Sequence, residues 1–139
     1  MRQHVESLEI STRGRGFVDL TEDVANVVAR SGVLRGLCTV FCRHTSCGLL
    51  IQENADPSVQ RDFLAWLERI APDGDPRYEH GDEGPDDMAA HLRTALCRTS
   101  ESIPIVRGTL ALGRWQALYL LEHRTAPHVR TVHVQVAGD

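Results

Sequence analysis

The chain has 139 residues, of which 42% are hydrophobic and 24% are charged, and its formal net charge is −4. This length predicts one domain with its own core, and the composition excludes a disordered chain. The acidic balance argues against nucleic acid as the main partner, because binding to a phosphate backbone needs a basic surface.

Three further features narrow the class of protein. No apolar run approaches the roughly 20 residues that span a bilayer, and the first residues hold no apolar signal-peptide core, so we expect no membrane partner and a cytoplasmic location. All fifteen basic residues are arginine, which excludes a catalytic lysine. The four cysteines are expected to be reduced structural thiols, and they are Cys38, Cys42, Cys47 and Cys97.

The first half of the chain predicts strands around one helix. Residues 2–10 alternate weakly and predict a strand. Thr21 is expected to be the N-cap of a helix that Gly32 ends. The apolar runs 37–42 and 49–51 then predict two buried strands.

A second helix has the clearest start in the sequence. Asp56 is the expected N-cap and Pro57 the first helical residue. The helix is expected to end before Pro72, and residues 71–87 predict a long loop. The predicted apolar stripe of this second helix consists of Val59, Phe63, Trp66, Leu67 and Ile70.

A third helix is predicted over residues 87–97. Met88, Leu92 and Leu96 share one face of it at helical spacing, which predicts that this face is buried. Asp87 and His91 lie one turn apart on a neighbouring face.

The last third of the chain predicts β-structure, in the segments 103–106, 110–112, 115–122 and 130–136. Strands at both ends with helices between them favour a single α+β domain over residues 1–139. Apolar residues of both parities in 110–112 and 117–121 predict sheet that is buried on both faces. Because one small domain has few helices to cover such sheet, we expect subunit contacts to cover it.

Histidines provide the first candidate site. His44 ends an apolar strand, His80 lies in the long loop beside Glu79, and His91 is one turn from Asp87. Three neutral imidazoles with a carboxylate or water suit zinc or another divalent metal. The alternative is that they are surface or hydrogen-bonded histidines. Burial at the strand end is expected to lower the pKa of His44 and keep the ring neutral.

Two polar groups of residues provide further candidates. Asp56 is explained by helix capping, whereas Glu53 and Asn54 have no evident local role and are therefore site candidates. Between Gly108 and Gln116, two glycines stand five residues apart, but the segment is neither a Walker A nor a GxGxxG sequence. Trp115 and Gln116 are expected on opposite sides of one strand.

Several motifs, taken in order, resemble a known family. They are His44-Thr45-Ser46, Glu53-Asn54-Ala55-Asp56-Pro57, Tyr78-Glu79-His80, Asp86 through Leu92, Ser102-Ile103-Pro104-Ile105, and Gly108 through Gln116. In this order they resemble the YjbQ family, small proteins also labelled secondary thiamine-phosphate synthases. The resemblance spans roughly residues 5 to 138, and its closing part is Glu122-His123-Arg124 with Arg130.

The resemblance implies an α+β fold with a β-sandwich or barrel-like mixed sheet core, about three helices and a homotrimeric assembly. It also implies a pocket near subunit contacts, in which a divalent metal, zinc or magnesium, is held by His44, His80 and His91. The implied catalytic residues are His44, Glu53, Asn54 and Gln116. The chain departs from the pattern in having Asp86-Asp87 where many members have Gly-Asn, and Arg114 where many have Thr.

Three functions remain open from the sequence. The first is an enzyme that joins a pyrimidine diphosphate to a thiazole phosphate with help from a metal and an arginine such as Arg43 or Arg114. The second is a metal-dependent hydrolase on a small substrate that uses the same histidines. The third is a non-catalytic trimer that binds a small anionic metabolite.

Overall fold

The computed structural model describes residues 1–139 as eight strands and three helices. The strands are β1 (Arg2–Ser11), β2 (Gly16–Asp19), β3 (Arg35–Cys42), β4 (Cys47–Glu53), β5 (Ser100–Val106), β6 (Thr109–Leu110), β7 (Gln116–Glu122) and β8 (Val129–Gly138). The helices are α1 (Thr21–Ser31), α2 (Pro57–Ile70) and α3 (Asp87–Thr94). None of the three is long and apolar enough to cross a membrane.

The strands form two sheets, and every pairing between them is antiparallel. The larger sheet has the order β1-β8-β3-β5-β6, and the smaller one has the order β2-β7-β4. Strand β1 pairs with β8 along its whole length, from Arg2 opposite Gly138 to Ser11 opposite Val129. The architecture confirms the predicted α+β class with a sandwich-like core and three helices.

The core lies between the two sheets and under α1. Its members from the larger sheet include Cys38, Val40 and Cys42 of β3, which alternate with exposed or half-buried residues as a one-sided strand should. The side chains of Val24, Val27 and Val28 complete it from α1, whose apolar stripe faces the sheets. Cys38 and Cys42 therefore share the buried face of β3, as predicted.

Strand β7 is buried on both faces, from Ala117 to Glu122. Leu118 and Leu120 point into the core, while Tyr119 on the other face meets the ring of Phe17, which in turn packs edge-on against Phe63 of α2. The cover on this outer face thus comes from the chain's own second helix. The prediction that sheet here needs a neighbouring subunit is wrong, because α2 folds back over the smaller sheet.

The larger sheet is different, because its outer face has no covering element. Several large apolar side chains on this face are exposed, although each is next to a buried or half-buried residue on its strand. They are Val5 of β1, Leu37 and Phe41 of β3, Val106 of β5 and Val129 of β8.

The predicted ends of α1 and α2 are confirmed except for the start of α1, whereas α3 ends at Thr94 and not at residue 97. Gly32 adopts the left-handed conformation at the end of α1, and Asp56 caps α2 by accepting from the Ser58 N–H, with Pro57 next. Thr21 is not an N-cap, since the cap position is Leu20 and has no side-chain hydrogen bond. The Thr21 hydroxyl instead accepts the backbone N–H of Leu118, so it bonds to strand β7 and does not cap α1.

Two predicted apolar faces are wrong in part. Helix α3 ends at Thr94, and its buried residues are Asp87, Ala89, Ala90 and Arg93, whereas Leu92 and Leu96 are exposed. The Arg93 guanidinium is buried because it donates to the Ala71 carbonyl at the end of α2. On α2 itself only Leu67 is fully buried, and Trp66 and Ile70 are exposed. Polar partners across the fold, which helical periodicity does not encode, determine which face is buried.

Candidate functional site

The site is built around the four-residue connection between β3 and β4, which carries His44. The His44 Nε2 accepts the backbone N–H of Thr131 at 2.8 Å, so a neutral ring carries its proton on Nδ1. Burial is the main cause that lowers the pKa of His44, and the charges of Arg130 and Arg43 add to it. The lowered pKa agrees with the expected effect of burial on this imidazole at the strand end.

Helix α3 presents Asp87 and His91 to the same region. The His91 Nδ1 lies 2.9 Å from the Thr45 carbonyl oxygen, which can only accept a hydrogen bond. The ring must therefore donate through Nδ1, and a neutral His91 has its lone pair on Nε2. That Nε2 lies 3.2 Å from the Asp87 Oδ2, so the two atoms are joined either by a proton on the ring or by a cation.

The long segment between α2 and α3 brings His80 to the same carboxylate. The His80 Nε2 lies 2.7 Å from the Asp87 Oδ2, and the two imidazole rings have their centres 5.4 Å apart. The ligand-bearing atoms of His80, Asp87 and His91 all lie within 4.8 Å of one another. Two consecutive segments, the loop that carries His80 and the helix that carries Asp87 and His91, thus meet at one carboxylate.

Asp87 is ionised although its side chain is only 3% exposed. Burial by itself would raise its pKa, but the hydrogen bond with His80 and the charges of His91 and Arg124 outweigh that effect, so the pKa of Asp87 is lowered. The Arg124 Nη1 lies 3.0 Å from the Asp87 Oδ1. Arg124 therefore holds one oxygen of the carboxylate and leaves Oδ2 turned to the two imidazoles.

Arg124 also anchors the start of α3. Its Nε donates to the Asp86 Oδ2 at 2.9 Å, and the Thr125 backbone N–H donates to the same oxygen. Burial opposes ionisation of Asp86, but these hydrogen bonds outweigh it and lower the pKa of this carboxyl. The Arg124 guanidinium thus contacts both Asp86 and Asp87.

A buried ion pair lies next to the connection between β3 and β4 and bonds to its last residue, Ser46. Glu122 is fully buried and accepts from the Arg130 Nε at 2.7 Å, while the Arg130 Nη2 also donates to the Ser46 hydroxyl. Next to it, His123 is completely buried, and its Nδ1 has no hydrogen-bond partner. Burial, together with the charge of Arg93, lowers the pKa of His123 to about 3.

The donor set fits a divalent metal. Two imidazole nitrogens and one carboxylate oxygen are a common three-ligand set for catalytic zinc, which keeps its fourth position for water or substrate. The hydrogen bond from the His91 Nδ1 to a backbone carbonyl is the support that a metal-binding histidine usually has. His44 is not one of the three converging residues, and Asp87 is there instead.

His44 and His91 meet at a shallow depression of about 410 Å³. Its wall also includes the hydroxyl-bearing Thr94 and Thr99, together with the thiol of Cys97. A small ligand in this depression would contact both histidines, so His44 lies beside the three-residue cluster without belonging to it.

The other three predicted catalytic residues lie elsewhere in the chain. Glu53 and Gln116 are opposite each other at one end of the β4–β7 pair, while Cys47 and Glu122 form the other end. Six residue steps along β4 correspond to roughly 20 Å. One chain therefore does not bring Glu53, Asn54 and Gln116 together with the histidines.

These three side chains also have local roles that the sequence did not reveal. The Glu53 carboxylate accepts the backbone N–H groups of Ala55 and Asp56. The Asn54 amide donates to the carbonyls of Arg114 and Gln116, and the Gln116 Oε1 accepts the Gly113 N–H. The inference that Glu53 and Asn54 lack a local role is therefore wrong, because they shape the turn into α2 and the approach to β7.

Sequence reasoning missed two members of the site. Arg124 stands out in the sequence only as part of a closing motif, and the carbonyl of Thr45 carries no side-chain signal at all. A long-range contact between residues 87 and 124 has no spacing rule, so neither role could be identified without the fold.

Comparison with known proteins gives a consistent result. The family model described as UPF0047 protein YjbQ-like matches residues 6–139. A UPF0047 protein of Synechocystis sp. is 51% identical over 99% of this chain and 94% of its own length, and UPF0047 protein YjbQ of Escherichia coli O157:H7 is 34% identical over 96% and 97%.

Solved structures agree with these relatives. A conserved hypothetical protein of Thermus thermophilus superimposes with a TM-score of 0.85 at 37% identity, covering 95% of this chain and 99% of its own. A hypothetical protein of Aeropyrum pernix reaches a TM-score of 0.88 at 28% identity, covering 98% and 99%.

Proposed function

Since the chain belongs to the YjbQ-like UPF0047 family, we propose that it is a metal-dependent enzyme that acts on a small anionic substrate. The observation that carries the proposal is the convergence of the His80 Nε2 and the His91 Nε2 on the Asp87 Oδ2, at 2.7 and 3.2 Å. The ligand atoms of the three residues all lie within 4.8 Å of one another, close enough to bind one divalent cation.

His80, Asp87 and His91 are the residues that would hold the metal, which when bound supplies charge stabilisation to an anionic leaving group or acidifies a water molecule. Arg124 fixes the carboxylate, and the Thr45 carbonyl fixes the His91 tautomer. His44 stays a predicted ligand and catalytic residue. Coordination through its Nε2 would break the bond to Thr131, whereas its Nδ1–H can donate to an anion in the depression.

The specific reaction we propose is formation of thiamine phosphate from hydroxymethylpyrimidine diphosphate and thiazole phosphate. In this reaction the departing pyrophosphate carries the developing charge. The exposed arginines Arg43 and Arg114 are the proposed partners of phosphate groups, since a guanidinium fork binds phosphate in two places.

The test is an assay of purified protein with both substrates, after removal of metal and after addition of Zn²⁺ or Mg²⁺. We expect product only in the metal-replete reaction, and none from the Asp87→Asn and His91→Ala variants. Absence of product above background with either metal would reject this reaction. Metal content, measured separately by mass spectrometry of the native protein, tests the site itself.

A metal-dependent hydrolase is the second candidate. Two histidines and one carboxylate are the ligand set of several water-activating zinc enzymes, and this observation favours it. A screen of phosphate esters and other small esters separates the candidates, because a hydrolase turns over one substrate without a second reactant. Bound metabolite with no turnover in either assay would indicate a binding protein.

We also propose that the functional form is a homotrimer. The uncovered outer face of the larger sheet, with Val5, Leu37, Phe41 and Val129 exposed, supports burial against another copy. Light scattering at micromolar concentration should give three times the 15.5 kDa of one chain. A mass near that of one chain would reject the trimer.

A trimer gives Glu53, Asn54 and Gln116 a route to the substrate. We call the end of the β4–β7 pair formed by Glu53 and Gln116 the Glu53 end, and the opposite end, near His80 and His91, the histidine end. For these residues to act together, the Glu53 end of one subunit must approach the histidine end of a neighbour. Mixing and refolding two inactive variants, Asp87→Asn and Gln116→Ala, should then restore part of the activity, because some sites receive both intact ends. Failure of every mixture to exceed its parents would place Gln116 outside a shared site.

A further inference from the structure

Two buried thiols meet where the connection that carries His44 begins and ends. Cys42 is the last residue of β3 and Cys47 is the first of β4, and their Sγ atoms lie 3.5 Å apart. Both are free thiols and at most 1% exposed. Cys38 lies on the same buried face of β3 but makes no contact of this kind, so burial alone does not bring thiols together here.

We propose that Cys42 and Cys47 are a redox modification site, at which a peroxide such as hydrogen peroxide produces an intramolecular disulfide. One thiol is oxidised to a sulfenic acid as the O–O bond breaks and one water leaves. The second thiol then displaces the hydroxyl group from that sulfur, which forms the S–S bond and releases a second water. The two electrons that reduce the peroxide come from the two thiols.

The position of the pair makes the bond attainable. A disulfide has an S–S length near 2.05 Å, so the sulfur atoms must approach by about 1.5 Å. Both cysteines stand at the end of a strand, next to a connection of only four residues, 43–46. Because β3 belongs to the larger sheet and β4 to the smaller one, the bond would join the two sheets covalently at this corner.

A third thiol, that of Cys97, lies close to the pair. Cys97 borders the depression, and a Cβ placed on Gly48 would lie 2.6 Å from the Cys97 Cβ. Cys97 therefore packs directly against the backbone next to Cys47. Burial raises the pKa of Cys97 to about 11, which keeps it a thiol and makes it a slow target for peroxide.

Formation of the disulfide would change the conformation of the connection between β3 and β4, residues 43–46, whether or not the site holds a metal. The residues enclosed by the bond include His44, which accepts from the Thr131 N–H, and Thr45, whose carbonyl accepts from His91. Contraction of the enclosed segment draws the His44 ring from Thr131. We therefore expect the Thr131 amide to exchange with deuterium faster in the oxidised protein than in the reduced one.

The arrangement of arginines allows a direct test. Trypsin cleaves after Arg35, Arg43 and Arg61, so Cys42 and Cys47 fall on separate peptides, 36–43 and 44–61, while Cys97 falls on 94–98. The native protein is treated with a small excess of hydrogen peroxide, its remaining thiols are alkylated, and it is digested without reduction. We expect peptides 36–43 and 44–61 to be linked, with fragmentation placing the bond on Cys42.

Controls define what would overturn the proposal. Cys38→Ala is the matched control, since Cys38 shares the strand and the burial of Cys42, and this variant should keep the linkage, as should Cys97→Ala. Cys42→Ala should abolish it. Linkage through Cys38 or Cys97, or oxidation confined to Cys97, would reject the pair. Linkage with unchanged exchange at Thr131 would reject transmission to His44.

Discussion

The two ends of the β4–β7 strand pair use polar side chains in opposite ways. At the end formed by Glu53 and Gln116, each side chain satisfies a backbone group of the same turn, and the arrangement is complete without a ligand. At the other end, His80 and His91 both face one oxygen of Asp87, and the three side chains together offer the ligand atoms for one cation. The side chains of Glu53 and Gln116 bond to nearby backbone, whereas His80, Asp87 and His91 bond to one another.

We expect the largest difference in stability between the two ends when the buried Glu122–Arg130 pair is broken. Arg130→Met leaves the Glu122 carboxylate buried without its partner, and loss of one member of such a pair costs about 3–5 kcal/mol. Urea unfolding at fixed protein concentration measures the change in the free energy of unfolding. Arg114→Met is the control at the other end, where the guanidinium stacks on an exposed Trp115 and the expected cost is below about 1 kcal/mol. Equal losses in the free energy of unfolding for Arg130→Met and Arg114→Met would mean that the buried ion pair stabilises the fold no more than the exposed Arg114 does.

Asp87→Asn should weaken Zn²⁺ binding at least about 100-fold, since it removes the charged ligand on which both imidazoles converge. Titration calorimetry of the metal-free protein measures the affinity. Glu53→Gln makes the same change of charge and shape at the opposite end and should bind Zn²⁺ like the wild type. An Asp87→Asn variant with unchanged affinity would show that any metal sits elsewhere.

Acid should destabilise the histidine end through His123. Its pKa in the folded protein is about 3, below the value near 6.5 of an unfolded histidine, so only the unfolded chain takes up this proton between those values. The resulting stability is complete above pH 6.5 and is lost as the pH falls toward 3, by up to about 1.4 kcal/mol per pH unit. Glu122, whose pKa is lowered mainly by Arg130 against the opposing effect of burial, adds a loss at the acid end.

Unfolding free energies at pH 7, 5.5 and 4.5, measured with chelator present, check this dependence. His123→Gln should flatten the slope between pH 6 and 4.5, because the group that titrates only on unfolding is gone. A variant with the wild-type slope would show that other groups cause the acid sensitivity.

The smallest loss of stability is expected for substitutions of Glu53, in the turn into α2. Glu53→Ala removes the acceptor of two backbone N–H groups and should cost about 1 kcal/mol, whereas Glu53→Gln keeps an acceptor oxygen and should cost less. Thermal unfolding of the two variants tests the order. A cost for Glu53→Gln equal to that for Glu53→Ala would mean that the charge, and not the hydrogen bonding, matters here.

Local patterns in the sequence were enough to predict the α+β class, while the sandwich-like core was an expectation from the family resemblance. The Asp56-Pro57 start of α2 and the Gly32 end of α1 are decided by backbone chemistry within a few residues, and both are confirmed. Several of the wrong predictions concern groups with distant partners. Thr21 bonds to β7, and the buried face of α3 follows Arg93, whose acceptor is Ala71.

The same distinction explains what could be predicted of the site. The spacing of Asp87 and His91 is a helical turn, so their proximity follows from the sequence. His80 reaches them through a loop without periodicity, and Arg124 arrives from beyond β7, so their convergence on Asp87 depends on the complete fold. The separation of Glu53 from His44 is likewise a matter of strand direction, which the order of motifs along the chain does not reveal.

The pairing of β1 with β8 has a consequence for biosynthesis. Strand β1 lies at an edge of its sheet and bonds only to β8, so after its synthesis it waits for residues 129–138. The sheet must therefore assemble late, from contacts with very large sequence separation, which is the slow kind of folding. Until then β1 and β3 present open edges, and a nascent chain of this kind depends on its surroundings to keep those edges from pairing with others.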